Sequence, residues 1–255
     1  MKRSAKYVMG LLLALGTAVP GGGAWGHDGK IYPRDAVVYG RTYSDWSAAW
    51  QQWVMSMPAA KHPLFDTADC SEGQSGPVFF LGGRFCAPDV NPSDPQCNST
   101  VTSRECKVPA GKPIYFPVLN TACLDAEARS VNQFCRDPDG VNALPYPPQM
   151  RQALARHIDL TTGLAVTIDG KPVEADWKRD FRVQSNVYSV LAPDGNLLQA
   201  LGEGEIGAGS YLGVDDGIYV MLKPFRKGSV HTVNFKGSFP QYQFSLDFSY
   251  RLTTE

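Results

Sequence analysis

The sequence predicts a mainly β fold, an antiparallel β-sandwich with one or two peripheral α-helices and a disulfide-braced loop region. Residues 242–252 alternate strictly between apolar and polar side chains, which is typical of a strand with one dry and one wet face. Other short apolar segments are separated by turn residues such as Gly, Pro and Asp. Only two segments have helical periodicity, so the pattern favours a sandwich with helical additions.

The clearest helix is predicted over residues 42–57. Thr42 can cap its first turn, Asp45 stands at the third helical position, and Pro58 ends the segment. Apolar side chains recur there at spacings of three and four. They are Tyr43, Trp46, Trp50, Trp53 and Met57. We expect this stripe to pack against a sheet, although three tryptophans on one face could also form a sugar-binding platform.

A second helix is predicted over residues 148–158, where Pro148 suits the first turn. Pro117 indicates an edge or a bulge in the strand at 114–119, and Asp169-Gly170 is a hairpin-turn signal. Residues 84–110 are rich in Pro, Asn, Asp, Ser and Cys, so we expect an ordered loop there. The predicted strands cover residues 78–81, 114–119, 164–168, 181–185, 187–191, 217–223, 229–236 and 242–252.

Residues 1–26 have the pattern of a secretory signal peptide. Three basic residues precede an apolar run over Tyr7–Ala18, and small residues follow near Gly26. Residues 27–255 are then expected to form a single β-sandwich-like domain outside the cytoplasm, secreted or periplasmic. No later apolar run is long enough to span a bilayer, so we expect no membrane span in the mature chain.

The six cysteines agree with export, because an even number in an exported chain indicates disulfides. They are Cys70, Cys86, Cys97, Cys106, Cys123 and Cys135. Their pairing stays open at this stage. A zinc site is the alternative, but the chain has no Cys-x-x-Cys pair and only 4 histidines.

Composition excludes several classes of protein. Aromatic residues make up 11% of the chain and the formal net charge is -1, so a disordered chain is excluded. The 24 basic residues are balanced by 25 acidic ones, which argues against a nucleic-acid partner. The glycines of residues 202–207 neither follow a clear strand nor open a helix, so we predict no nucleotide cofactor.

Two kinds of chemistry are open to the polar residues. Carboxylates in or beside predicted turns could act as paired acid and base in a hydrolase, with Asp66 and Asp216 as candidates. Asp69, Asp169 and Asp215 share that turn setting. A copper-binding histidine brace is a remote alternative. It needs cleavage after Gly26, which would make His27 the amino terminus, and a second histidine from His62, His157 or His231.

Several motifs resemble a group of uncharacterised secreted bacterial proteins. The first is Tyr39-Gly40-Arg41-Thr42-Tyr43 followed by Trp46, Trp50, Trp53, Pro58, His62-Pro63-Leu64 and Asp66. The others are Gly73-Gln74-Ser75-Gly76-Pro77-Val78 with Phe80-Leu81, then Val108-Pro109-Ala110-Gly111-Lys112, Asp216-Gly217 with Tyr219, and Gly228 with His231. The resemblance covers most of the mature chain. It implies export and a single domain, and it implies no activity.

The function that the sequence favours is non-catalytic binding of a small ligand, a glycan or a protein partner. Aromatic side chains expected in exposed loops are the candidate contacts, namely Tyr146, Trp177 and Tyr211. The alternative is an extracytoplasmic hydrolase that uses the loop carboxylates. The two differ in whether Asp66 or Asp216 is needed for product release.

Overall fold

The structure is a computed structural model that describes residues 29–84, 102–125, 135, 147–201 and 206–255. Some of the sequence predictions lie outside these residues. They are the signal peptide over residues 1–26, His27, Cys86, Cys97 and Tyr146.

The described residues form four α-helices and ten β-strands. The helices are α1 (Tyr43–Met55), α2 (Pro147–Asp159), α3 (Trp177–Asp180) and α4 (Leu197–Ala200). The strands are β1 (Phe79–Phe80), β2 (Thr102–Val108), β3 (Ile114–Leu124), β4 (Thr162–Ile168), β5 (Lys171–Pro172), β6 (Arg182–Gln184), β7 (Tyr188–Ala192), β8 (Gly209–Leu222), β9 (Val230–Phe239) and β10 (Phe244–Thr254). None of the described helices is long and apolar enough to cross a membrane.

The strands form two sheets that pack as a β-sandwich, as predicted. The first sheet has the order β1-β3-β8-β6, with β7 also paired to β8, and the second has the order β2-β10-β9-β4-β5. Most pairs are antiparallel, but β1 runs parallel to β3 and β2 runs parallel to β10. Side chains of both sheets meet in one apolar core, with Phe116 of β3 against Phe235 of β9 at 4.9 Å between ring centroids.

Helix α1 covers the outer face of the first sheet. The predicted cap is present, because the Thr42 and Asp45 side chains each bond the other's backbone N–H. The three tryptophans of the helix are 2–6% exposed, and each indole N–H donates to a backbone carbonyl. The sugar-platform alternative is therefore wrong: the stripe is core, and its polar groups are satisfied inside the protein.

Two strands differ most from the sequence prediction. β2 lies inside the segment expected to be a loop, and charged residues interrupt its apolar positions. Arg104 of β2 lies over the rings of Phe248 and Tyr250, and Asp66 neutralises its charge at 2.6 Å. Arg104 takes the place of an apolar residue on the face that also buries Cys106 and Val108, so the sequence alternates only over residues 105–108 and does not reveal the whole strand.

β8 starts at Gly209 and not near residue 217, and it contains Asp215 and Asp216 in its middle. Both carboxylates are fully buried, whereas the sequence placed them in or beside a turn.

The prediction that Pro117 marks an edge or a bulge is confirmed in part. The ladder between β3 and β8 shifts register between Pro117 and Leu119, which is the predicted bulge, but β3 lies between β1 and β8.

Two disulfides lie among the described residues. Cys70–Cys106 links the segment after α1 to β2, and Cys123–Cys135 links β3 to a residue 12 positions later in the chain. Cys70–Cys106 joins an irregular segment to a strand. The expected disulfides are therefore present for these four cysteines.

Candidate functional site

A cleft of about 430 Å³ opens beside the first turn of α1 and is also lined by the edge strand β6 and by α3. We call it the basic cleft. Its lining residues are Arg34, Thr42, Tyr43, Ser44, Lys178, Arg182, Val183 and Gln184. The volume suits a small ligand. The lining joins three cationic side chains with hydroxyl-bearing residues and one amide.

Two of the three cations have no carboxylate partner in the described part of the chain. Arg34 donates from Nη1 to the carbonyl oxygen of Arg182 at 3.2 Å. Lys178 donates from Nζ to the carbonyl oxygen of Asp159 at 2.7 Å. These bonds hold both side chains in place through neutral acceptors, so neither cation is paired directly with a carboxylate.

Arg182, by contrast, is part of a paired network. Its Nε and Nη2 donate to both carboxylate oxygens of Asp216 at 3.0 and 2.9 Å, and its Nη1 donates to Asp159. Burial alone would lower the pKa of Arg182, but the bonds to Asp216 and Asp159 raise it. Gln184 also donates to Asp216, at 2.9 Å. Arg182 is thereby fixed as a wall of the cleft, and its one positive charge faces two carboxylates.

The first turn of α1 adds backbone donors and one carboxylate. The N–H groups of Tyr43 and Ser44 have no acceptor within the helix, because they belong to its first turn. Asp45 accepts from Thr42 and from Asn186, and the hydrogen bonds from Thr42 lower its pKa. This carboxylate offsets part of the positive potential at the helix terminus. Among the described residues, the cations of the cleft that have no direct carboxylate partner are therefore Arg34 and Lys178.

A wider groove of about 730 Å³ lies beside the Cys70–Cys106 disulfide. Its charged residues are already engaged within the protein. Lys107 pairs with Glu255 at 2.7 Å, and Lys112 donates to the carbonyl oxygen of Gly76 at 2.8 Å. Its lining combines three acidic with two basic side chains, so it has no excess of positive charge; they are Asp69, Glu105, Glu255, Lys107 and Lys112.

The two predicted catalytic carboxylates lie in separate networks. Asp66 follows the short 3-10 turn at Pro63–Phe65 and pairs with Arg84 at 2.8 Å and with Arg104. Asp216 pairs with Arg182 in the middle of β8. No hydrogen bond or ion pair of the described residues joins the two. Each carboxylate is instead bound to an arginine of its own network.

Trp177 and Tyr211, the two described aromatic residues that were expected in exposed loops, lie instead on a helix and on a strand. Trp177 lies on α3 and is only 9% exposed, with its ring 5.3 Å from that of Phe181. The expectation of an exposed loop residue is therefore wrong, because Trp177 belongs to the core between the sheets. Tyr211 lies on β8, half-buried, and its hydroxyl donates to the carbonyl oxygen of Gly207 at 2.9 Å.

The histidines considered for a copper brace each have protein partners. His62 is fully buried, and desolvation lowers its pKa to about 4. His157 contacts the Tyr242 hydroxyl at 2.6 Å, and His231 contacts Asp169 at 2.9 Å. Within the described residues, no group of three or more His, Cys, Asp or Glu is placed to hold a metal ion.

Sequence reasoning did not find a polar cluster beneath α1. Asp215 is fully buried and accepts hydrogen bonds from Ser47 and Gln51 of α1, from Asn120 of β3 and from Tyr219 of β8. Desolvation raises the pKa of Asp215 to about 7, although these four donors lower it. A carboxylate inside an otherwise apolar strand is the sequence signal that could have indicated this buried cluster. The Asp-Asp-Gly sequence is also typical of a turn, and a turn was therefore predicted.

This pKa predicts a specific pH dependence. The Asp215 carboxyl is protonated below about pH 7 in the folded protein, but only below about pH 4 in the unfolded chain. Raising the pH between these two values therefore lowers the free energy of unfolding, by at most about 1.4 kcal/mol per pH unit. His62 acts in the opposite direction, because its lowered pKa makes stability rise with pH between about 4 and 6.5.

We therefore expect the free energy of unfolding of the unmodified protein, minus that of Asp215→Asn, to fall as pH rises from 4.5 to 7.5. Urea denaturation of both proteins at several pH values measures it. The subtraction removes the His62 contribution, which both share. A difference that stays constant or rises with pH would contradict the raised pKa.

Comparisons of the chain with protein-family models, with curated proteins and with solved structures found no match.

Proposed function

We propose that this protein is an exported binding protein for a small anionic ligand, which the basic cleft holds without catalysing its conversion. The observation that carries the proposal is the pair of cations, Arg34 and Lys178, that line the cleft without a carboxylate partner among the described residues. Arg182 and Gln184 are already fixed by Asp216, so they form a wall that needs no rearrangement to receive a ligand.

The ligand class follows from the donors. An ammonium, a guanidinium, the Ser44 hydroxyl and the backbone N–H groups of the first turn suit a carboxylate, sulfate or phosphate group. Val183 supplies an apolar part of the lining, which suits an organic anion with a small carbon frame. A glycan would fit this class if it carried such an acidic group.

Export is part of the same proposal. The disulfides Cys70–Cys106 and Cys123–Cys135 support it, because such bonds persist in oxidising compartments. The signal-peptide pattern of residues 1–26 supports it independently. We propose a secreted or periplasmic location and membership of the secreted bacterial group that the sequence resembles.

The cleft proposal is tested by calorimetric titration with inorganic phosphate and with citrate. We expect the double variant Arg34→Ala/Lys178→Ala to bind at least tenfold more weakly, because each charged hydrogen bond contributes about 1.5–3 kcal/mol. Binding should also weaken as ionic strength rises. The matched control is Lys61→Ala/Lys171→Ala, which removes two exposed lysines outside the cleft lining and should leave the affinity unchanged. Equal affinities of the cleft variant and the control would refute the proposal.

A further inference from the structure

Away from the basic cleft, three side chains form a continuous chain of hydrogen bonds at one end of the second sheet. Asp169 lies in the turn between β4 and β5, Ser229 just precedes β9, and His231 lies on β9. The Asp169 Oδ2 is 2.9 Å from His231 Nδ1, and His231 Nε2 is 3.0 Å from Ser229 Oγ. The pairing of β4 with β9 brings these residues together, although about 60 positions separate Asp169 from Ser229.

The His231 imidazole is held in one orientation. Asp169 has φ 53°, followed by Gly170 with φ 73°, and its Oδ1 accepts from the Thr232 N–H at 3.0 Å. The ring of Phe225 stacks on the imidazole with 3.9 Å between centroids. The His231 side chain is still 20% exposed. A rigid and accessible imidazole between a carboxylate and a hydroxyl is the arrangement that activates a serine nucleophile.

The carboxylate is also kept ionised. Desolvation would raise the pKa of Asp169, but hydrogen bonds from His231, Lys30 and Thr232 lower it to about 2. An ionised Asp169 favours the tautomer in which His231 carries its hydrogen on Nδ1. The lone pair on Nε2 then points at the Ser229 hydroxyl.

A competing acceptor limits the reactivity of this serine. The Ser229 Oγ is 2.6 Å from the carbonyl oxygen of Arg226, closer than it is to the imidazole. The hydroxyl hydrogen therefore has two acceptors and must turn toward Nε2 before the oxygen can react. We expect slow turnover as a result, with activated esters as the substrates that reveal it.

We propose that Ser229, His231 and Asp169 act as a Ser–His–Asp triad that hydrolyses small activated esters at the protein surface. The Ser229 oxygen bonds to the ester carbonyl carbon while its proton moves to His231 Nε2. The carbon–alkoxide bond then breaks and the alkoxide takes that proton, which leaves acyl-Ser229 and an alcohol. Water attacks the acyl group by the same proton route, releases the acid and restores the serine. The sum is ester plus water giving acid plus alcohol.

The test treats the full-length protein with a fluorophosphonate reagent and locates the adduct by mass spectrometry. We expect labelling at Ser229, no label there in Ser229→Ala, and labelling at least tenfold slower in His231→Gln and in Asp169→Asn. Hydrolysis of p-nitrophenyl acetate should be lost in Ser229→Ala and at least tenfold slower in His231→Gln and in Asp169→Asn. Circular dichroism establishes that each variant folds.

A control variant separates the triad from the rest of the protein surface. Ser245→Ala removes a hydroxyl of the same sheet that pairs with Ser238 and not with an imidazole, so labelling should not change. A Ser229 that stays unlabelled, or whose labelling is unaffected by His231→Gln, would overturn the triad and show that these contacts only fasten the turn to β9.

Discussion

Replacing Asp215 by alanine is expected to destabilise the protein by about 4 kcal/mol, the largest effect of any substitution considered. Its carboxylate accepts from side chains of α1, β3 and β8 in a site with no solvent exposure. Removing it leaves four donors without this acceptor, three of them on buried residues, and each unsatisfied buried group costs about 1–3 kcal/mol before the site relaxes. The contact between α1 and the first sheet should weaken most.

Urea denaturation measures this loss, and Ser47→Ala supplies the comparison. That variant removes one donor and leaves the acceptor with three others, so about 1 kcal/mol is expected. Comparable losses for the two variants, or a loss below about 1 kcal/mol for Asp215→Ala, would show that the cluster does not fasten α1 to the sheet.

Replacing Asp216 by alanine is expected to cost about 3 kcal/mol. Asp216 is fully buried and bonds both Nε and Nη2 of Arg182, whose side chain is 22% exposed. Breaking such a pair leaves a largely buried guanidinium without its main partner, which typically costs about 3–5 kcal/mol when both groups are buried. The partial exposure of Arg182 places the expected value at the lower end of that range.

Asp159→Ala is the matched control for this effect. Asp159 pairs with the same arginine but its side chain is 60% exposed, so we expect a loss below about 1 kcal/mol. Equal losses of stability in both variants would contradict the assigned roles.

These expectations also bear on the hydrolase hypothesis. Asp216 is a candidate acid when sequence alone places it beside a turn, whereas the structure places it in an ion pair inside β8. A carboxylate that is fully buried against an arginine stabilises the fold. We accordingly expect the effects of Asp216→Ala to follow stability and cleft geometry.

The parts of the fold that local sequence encodes were predictable. α1 carries its cap and its apolar stripe within one short segment, so both its position and its buried face followed from the sequence. The hairpin at Asp169-Gly170 and the bulge after Pro117 also followed, since backbone chemistry at those residues decides them. These elements agree with the structure because nothing distant in the chain overrides them.

The remaining features depend on residues far apart in the chain. β2 pairs with β10 along its whole length and Arg104 meets Asp66 and the rings of β10, and the short alternation within residues 105–108 does not reveal either contact. The basic cleft joins Arg34, Lys178 and the first turn of α1, and none of these cations is distinctive by itself. The contact of His231 with Asp169 likewise needs the pairing of β4 with β9.

Anomalous diffraction from crystals grown with selenate, a sulfate analogue with a strong selenium signal, tests the anion-binding cleft most directly. We predict a selenium peak in the basic cleft, within hydrogen-bonding distance of Lys178 Nζ and of the Arg34 guanidinium, and its loss in Arg34→Ala/Lys178→Ala. A cleft without a selenium peak at saturating selenate, or a peak that persists in the double variant, would contradict the account.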